Sequence, residues 1–254
     1  RKVVSLIGPR RSGKTYLLYQ LINEIQNISD VLYINFEDER LNFDSTNLYL
    51  ILESYIELYP DKKEDNIYLF FDEIQEVEGW ERFVRRMYDT VTRKIFLTGS
   101  SAKLLSKEIA TNIRGRSITY KIYPLSFREY LKFKKAETDK YTLKGKSNLI
   151  NGFNKYIARG GFPETVDMND EVLRKTINDY VDVMLFRDVI ERYNVKNIKS
   201  LEYVIKRILV NPAKEISINK LYNELKSKGV KTTKDLLYDY VRYAEDAFMI
   251  LSLN

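Results

Sequence analysis

"LIGPRRSGKTYLL", residues Leu6 to Leu18, is a short apolar strand pattern that breaks at a glycine and resumes as a leucine-rich helix pattern. Inside it, Gly8-Pro9-Arg10-Arg11-Ser12-Gly13-Lys14-Thr15 fits G-x-x-x-x-G-K-[ST], the P-loop spacing, and it sits between a strand and a helix as that motif requires. Gly8 and Gly13 are expected to adopt backbone angles that a side chain would forbid, so that successive N–H groups turn inward toward an anion. The start of the helix adds unpaired N–H groups and a partial positive charge. Lys14 is then expected to reach the β- and γ-phosphates of a nucleotide, and the Thr15 hydroxyl to take one position on Mg2+. The segment Gly8 to Thr15, extended by Tyr16, is the expected nucleotide-binding stretch.

A phosphate cradle needs a carboxylate opposite it. Ile67 to Phe71 are apolar and give way abruptly to Asp72-Glu73, a Walker B arrangement in which Asp72 holds magnesium through water. The chain has no histidine, so any general base must be a carboxylate, and Glu73 is the candidate that polarises the attacking water. The absence of histidine and cysteine also excludes imidazole triads, thiolate metal sites and disulfides. Two acidic residues after a strand are commonplace solvated turn residues on their own; next to a P-loop they take on a role.

The rest of the chain supplies the scaffold for this pair. Val3–Ile7, Val31–Phe36, Ile67–Phe71, Lys94–Thr98 and Ile118–Tyr123 are short β-branched and aromatic runs, mostly without polar alternation, as parallel strands covered on both faces require. Helical stretches lie between them, such as Tyr16 to Gln26 with Leu17, Leu18, Leu21, Ile22 and Ile25 on one face. Alternating strands and helices predict an α/β fold around a parallel sheet. A strand between the P-loop strand and the Walker B strand fits the subclass in which a catalytic glutamate follows the aspartate. Beyond Pro124 the pattern turns helical to about Asn194, interrupted by a lysine-rich loop around Lys134 to Lys146 and by Gly160-Gly161-Phe162-Pro163.

Two further positions are candidates. Ser100 follows the Lys94–Thr98 strand, either orienting the lytic water or, with Ser101, capping the helix that begins at Ala102. Arg114 and Arg116 precede the fifth strand, either as an arginine finger acting in cis or in trans or as a surface basic pair.

"GPRRSGKT", "FFDEIQEVEGWERFVRRMYD", "FLTGSSAKLL", "IRGRSITYKIYPLSFREYL" and "ARGGFPE" occur together and in this order. In this the chain resembles, over nearly its whole length, the archaeal-type ATPases of the AAA-like P-loop class. The resemblance implies an ATPase core over residues 1–125 with sheet order 5-1-4-3-2, a helical lid over 126–195 and a winged helix over 196–254. It also implies that Pro163, in a G-x-P element, approaches the nucleotide from the lid; as a turn, Gly-Gly-Phe-Pro is equally a helix breaker. A nuclease-like domain usually follows in such proteins. Here the sequence stops at Asn254, and nuclease activity is not carried over.

The last sixty residues predict three helices, Leu201–Val210, Ile218–Lys228 and Thr233–Ala247, and then a strand-like Phe248-Met249-Ile250-Leu251. From Lys196 to Asn254 there are 11 basic and 7 acidic residues, against a net charge of +6 for the chain. The third helix itself is nearly balanced, so a groove-reading role for DNA competes with a lid or protein-docking role. No apolar run reaches the roughly 18 residues needed to span a bilayer, and a cytoplasmic protein without membrane attachment is expected. The combined expectation is a magnesium-dependent ATP hydrolase that binds ATP and ADP, with DNA, a protein or a second copy as partner. The competing expectations are a nucleotide-gated switch with little turnover and, more weakly, a plain winged-helix DNA binder with a vestigial nucleotide site.

Overall fold

Adjacent phenylalanines on the third strand show how one sheet serves two helical layers. In the computed structural model, which describes residues 2–41, 43–44, 46–101, 115–136 and 139–252, this strand is β3, Tyr68–Asp72. Successive side chains on a strand point to opposite faces. Phe70 accordingly joins Leu6, Leu18 and Ile22 in one buried cluster and stacks on Phe96 with centroids 4.7 Å apart. Phe71 faces the other way, against Phe83 at 5.6 Å and Phe36 at 5.9 Å.

The remaining strands are β1 (Val3–Ile7), β2 (Val31–Asn35), β4 (Ile95–Gly99) and β5 (Ser117–Lys121). They form one parallel sheet in the order β2-β3-β4-β1-β5. The P-loop strand is therefore interior, and its neighbours β4 and β5 end level with it, Ile7 pairing with Gly99 and with Lys121. Helix α1 (Lys14–Asn23) covers the Phe70 face through Leu18 and Ile22. Helix α3 (Trp80–Thr90) covers the Phe71 face and buries Trp80, Phe83, Val84 and Met87; between them in sequence lies α2 (Leu50–Leu58). Residues 102–114, which include Arg114 and the helix that Ser101 was expected to cap, lie outside the described residues.

Helices α4 (Phe127–Phe133) and α5 (Leu143–Arg159) follow the sheet. Helix α4 opens on a capping box between Ser126 and Glu129. Thr142 caps α5, so Lys144 and Lys146 stand in its first turn and not in the loop expected there. The chain divides into two compact units, Arg1–Leu173 and Arg174–Asn254, and the division falls inside the stretch read as a lid. Helix α6 (Asp170–Val183) spans this boundary and continues as a π-helical stretch, Met184–Glu191.

The second unit is built on α7 (Ile198–Val210), α8 (Ile218–Ser227) and α9 (Lys234–Asp246), capped by Asn197, Ser217 and Thr233. Leu201, Val204, Ile205, Leu221, Leu225, Leu237, Tyr240 and Ala244 form its core with Leu185 and Val189. The strand-like segment after α9 is not a strand. Phe248 takes φ 57°, its N–H donates to the Glu245 carbonyl, and the Met249 N–H donates to that of Ala244. This is a left-handed helix cap, so these amides close α9 and are not left to a ladder. The apolar side chains that suggested a strand, Met249 and Ile250, instead pack against the core.

Candidate nucleotide site

Sheet alternation assembles the site. Asp72 is two residues beyond Phe70, and Thr98 two beyond Phe96, so both emerge on the α1 face at the carboxyl ends of β3 and β4. The loop Gly8 to Gly13 delivers α1 to that same edge. The two loop glycines turn out to have different reasons. Gly13 has φ 100° and caps α1 in a left-handed conformation, as expected. Gly8 does not take a positive φ; it is needed because a Cβ there would stand 2.0 Å from the Ile122 carbonyl oxygen of the β5 segment.

Lys14 is buried, its Nζ donating to the carbonyls of Gly8 and Pro9 at 3.1 Å each and lying 3.3 Å from Glu73 Oε1. Thr15 hydrogen-bonds Asp72. Lys14, Thr15, Asp72 and Glu73 thus occupy one place. Asp72 is 1% exposed. Burial pushes its carboxyl above the ordinary aspartate value, an effect opposed by hydroxyls of Thr98, Thr15 and Tyr33. Glu73 is also buried, but there the Lys14 ammonium, the Gln75 amide and the Arg10 guanidinium outweigh desolvation and hold its carboxyl below the ordinary glutamate value. Gln75 donates to Glu73 Oε2 at 2.6 Å.

Glu73 has φ 50°, ψ 45°, a left-handed conformation that a glutamate rarely adopts. What holds it there is Thr98: its hydroxyl accepts the Glu73 N–H at 2.8 Å and donates to Asp72 Oδ1. Strain of this kind persists where surrounding contacts over-determine it, often at functional sites. The sequence reading placed the polar role after β4 at Ser100, and missed Thr98 because it reads as the last residue of an apolar strand. Its signal was the single hydroxyl in Ile95-Phe96-Leu97-Thr98. Tyr33 was missed as well; its hydroxyl donates to Asp72 Oδ2 at 3.0 Å. Ser100 and Ser101 are fully buried directly after β4.

The other expected residues divide. Pro163 comes to the loop, its Cγ 3.8 Å from where a Gly13 Cβ would stand. Glu164 beside it pairs with Arg11 at 3.4 Å. Arg10 pairs with Glu37 and, at 4.0 Å, with Glu76. Tyr16 is exposed on α1. Arg116 does not join the site of its own chain. Its carbonyl accepts from the Val3 N–H, which puts it at the opposite end of β1, a strand about 13 Å long at roughly 3.3 Å per residue. There Arg116 pairs with Asp89 and its guanidinium lies over the Tyr88 ring. The sheet direction is the reason: a residue that enters β5 lies at the edge away from the loop that leaves β1.

Whether these residues suit a nucleotide and a magnesium ion can be tested on the donor set. Ser12 Oγ is buried in the loop with no hydrogen-bond partner, 3.3 Å from where a Gly8 Cβ would stand, and so leaves a donor to spare for an anion. Among the described residues no cluster of three or more His, Cys, Asp or Glu could hold a metal on its own. A threonine hydroxyl and one carboxylate suit Mg2+, which keeps waters and takes its other ligands from substrate phosphates. The residues fit both groups.

Residues 1–131 match the family model described as an AAA domain, and residues 150–254 match a domain of unknown function (DUF8612). An uncharacterized protein of Methanocaldococcus jannaschii is 44% identical over 100% of this chain and 56% of its own length. An uncharacterized protein of Haemophilus influenzae is 35% identical over 98% of this chain and 60% of its own. A second uncharacterized protein of M. jannaschii is 26% identical over 90% of this chain and 53% of its own. The chain therefore spans little more than half the length of these relatives. Among the described residues no helix is long and apolar enough to cross a membrane. An AAA domain implies nucleotide binding, which agrees with the glycine-lined loop and its buried lysine. With the model covering half of its residues, the chain belongs to the AAA domain family.

Proposed function

We propose that the chain binds ATP with magnesium and hydrolyses the β–γ bond. The observation that carries this reading is the convergence of Lys14, Thr15, Asp72 and Glu73 at one edge of the sheet, with Thr15 and Asp72 hydrogen-bonded to each other. Lys14 neutralises charge on the transferring phosphoryl group. Thr15 and Asp72 hold the metal, which when bound draws off charge from the phosphate oxygens. Glu73, ionised at neutral pH, accepts the proton of the attacking water. The lid enters through Gly161-Phe162-Pro163: Pro163 lies against Gly13 and Glu164 against Arg11, so phosphate in the loop is felt by the lid. Movement of the lid and of the helical domain in residues 196–254 then reports the nucleotide state. The test is Glu73→Gln. ATP affinity stays within about threefold of wild type while phosphate release falls by about 10²–10⁴-fold, the usual contribution of a general base. Undiminished release removes Glu73 from its role.

One observation favours a second reading, a switch with little turnover. The Glu73 carboxylate is engaged by both Lys14 and Gln75, and the charge and hydrogen bond they supply lower its basicity toward a water. A partner that opens this arrangement would set the rate. Duplex DNA is one candidate, although α9 carries Asp235, Asp239, Glu245 and Asp246 against Lys234 and Arg242, and Arg242 is itself paired with Asp239 at 2.6 Å. A protein or a second copy of the chain is the other. Phosphate release measured with and without duplex DNA separates these cases.

A further inference from the structure

A line of hydroxyls reaches Asp72 from the side that the P-loop does not cover. Tyr33 is the middle residue of β2 and pairs in register with Phe70 of β3. Its neighbours Leu32 and Ile34 line an apolar groove with Ile51 and Tyr55 of α2, so Tyr33 takes the opposite face, the one shared by Phe70 and Asp72. There it packs among apolar side chains, where a phenylalanine would fill the same space. Its hydroxyl donates to Asp72 Oδ2 at 3.0 Å and lies 3.2 Å from the Tyr19 hydroxyl of α1, the two rings being 5.4 Å apart. The other carboxylate oxygen, Oδ1, takes the Thr98 hydroxyl. Each oxygen of Asp72 thus has its own hydroxyl donor, from β2 on one side and β4 on the other, and the plane of the carboxylate is set.

We propose that Tyr33 is a positioning residue for the magnesium site, acting through Asp72 and held by Tyr19. This rests on the reading of Asp72 as a metal-holding carboxylate. A carboxylate held at both oxygens cannot rotate, and it meets the metal in one orientation without the entropy of finding it. Partners of metal ligands are worth about 10–100-fold in metal affinity. The arrangement also links three elements, since α1 carries Tyr19 as well as Thr15, which also bonds Asp72.

Tyr33→Phe keeps the ring and removes the hydroxyl. The probe is a non-hydrolysable ATP analogue titrated calorimetrically into the full chain at a series of Mg2+ concentrations. The Mg2+ concentration giving half of the metal-dependent gain in affinity rises about 10–100-fold in Tyr33→Phe, while affinity without metal is unchanged. Tyr19→Phe shifts it in the same direction by less. Phosphate release by Tyr33→Phe recovers toward wild type at saturating Mg2+. An unchanged Mg2+ requirement in Tyr33→Phe, with only a lower melting temperature, makes Tyr33 a packing residue and overturns the inference alone. If the wild-type chain shows no metal-dependent gain in nucleotide affinity at all, the reading of Asp72 falls and this inference falls with it.

Discussion

Replacing Thr98 by valine preserves the shape of a fully buried side chain and removes one hydroxyl that serves two neighbours. The Glu73 N–H loses its acceptor, and leaving a buried donor unsatisfied costs about 1–3 kcal/mol. Asp72 Oδ1 loses a hydrogen bond to a carboxylate, worth about 1.5–3 kcal/mol. The two belong to one network and do not add fully, so a destabilisation of about 2–4 kcal/mol is expected for the first unit. Thr98→Ser keeps the hydroxyl and loses one methyl group, about 1 kcal/mol. The assay is built into the chain: its one tryptophan, Trp80, is buried on α3 in this unit, so its fluorescence during urea unfolding reports this unit specifically. The hydroxyl also holds Glu73 in its left-handed conformation, so Thr98→Val loses phosphate release and Thr98→Ser retains most of it. A valine variant no less stable than the serine variant, with Glu73-dependent release intact, refutes the argument that Thr98 pins the Walker B end.

Gly8→Ala forces a Cβ to within 2.0 Å of a backbone carbonyl on the neighbouring segment, which cannot swing aside, so nucleotide affinity measured by calorimetry is lost and the Trp80 transition moves to lower urea. In the second unit, burial first and then the Asp246 carboxylate, which accepts the Tyr193 hydroxyl at 2.9 Å, raise the tyrosine above its ordinary value. A raised value means that the folded form keeps a proton the unfolded chain gives up near pH 10. The resulting stability is complete below about pH 10 and is lost as pH rises beyond it. Helical circular dichroism in urea at pH 9 and pH 11 checks this: the midpoint drops at the higher pH, and it drops less in Tyr193→Phe.

Much of the fold was legible because it is locally encoded. The largely apolar runs of β1, β3 and β4 mark strands buried on both faces, and Leu18 and Ile22 mark the covered face of α1. The end of α9 was misread for a related reason: Phe248-Met249-Ile250-Leu251 is apolar enough for a strand, but its amides were already claimed by the carbonyls of the preceding helix. Periodicity cannot register a competition for hydrogen bonds.

The candidate site divides along the same line. A glycine-flanked Lys14-Thr15 after a strand, and Asp72-Glu73 after another, are short-range patterns set by residue type and spacing, so the sequence by itself determined which residues make up the core of the candidate site. Strand order, register and direction are long-range properties. They alone decided that Thr98 and Tyr33 grip the two oxygens of Asp72, that Gly8 is dictated by the Ile122 carbonyl, and that Arg116 faces the far end of the sheet. Such contacts join residues tens of positions apart, and no local pattern carries the pairing that brings them together.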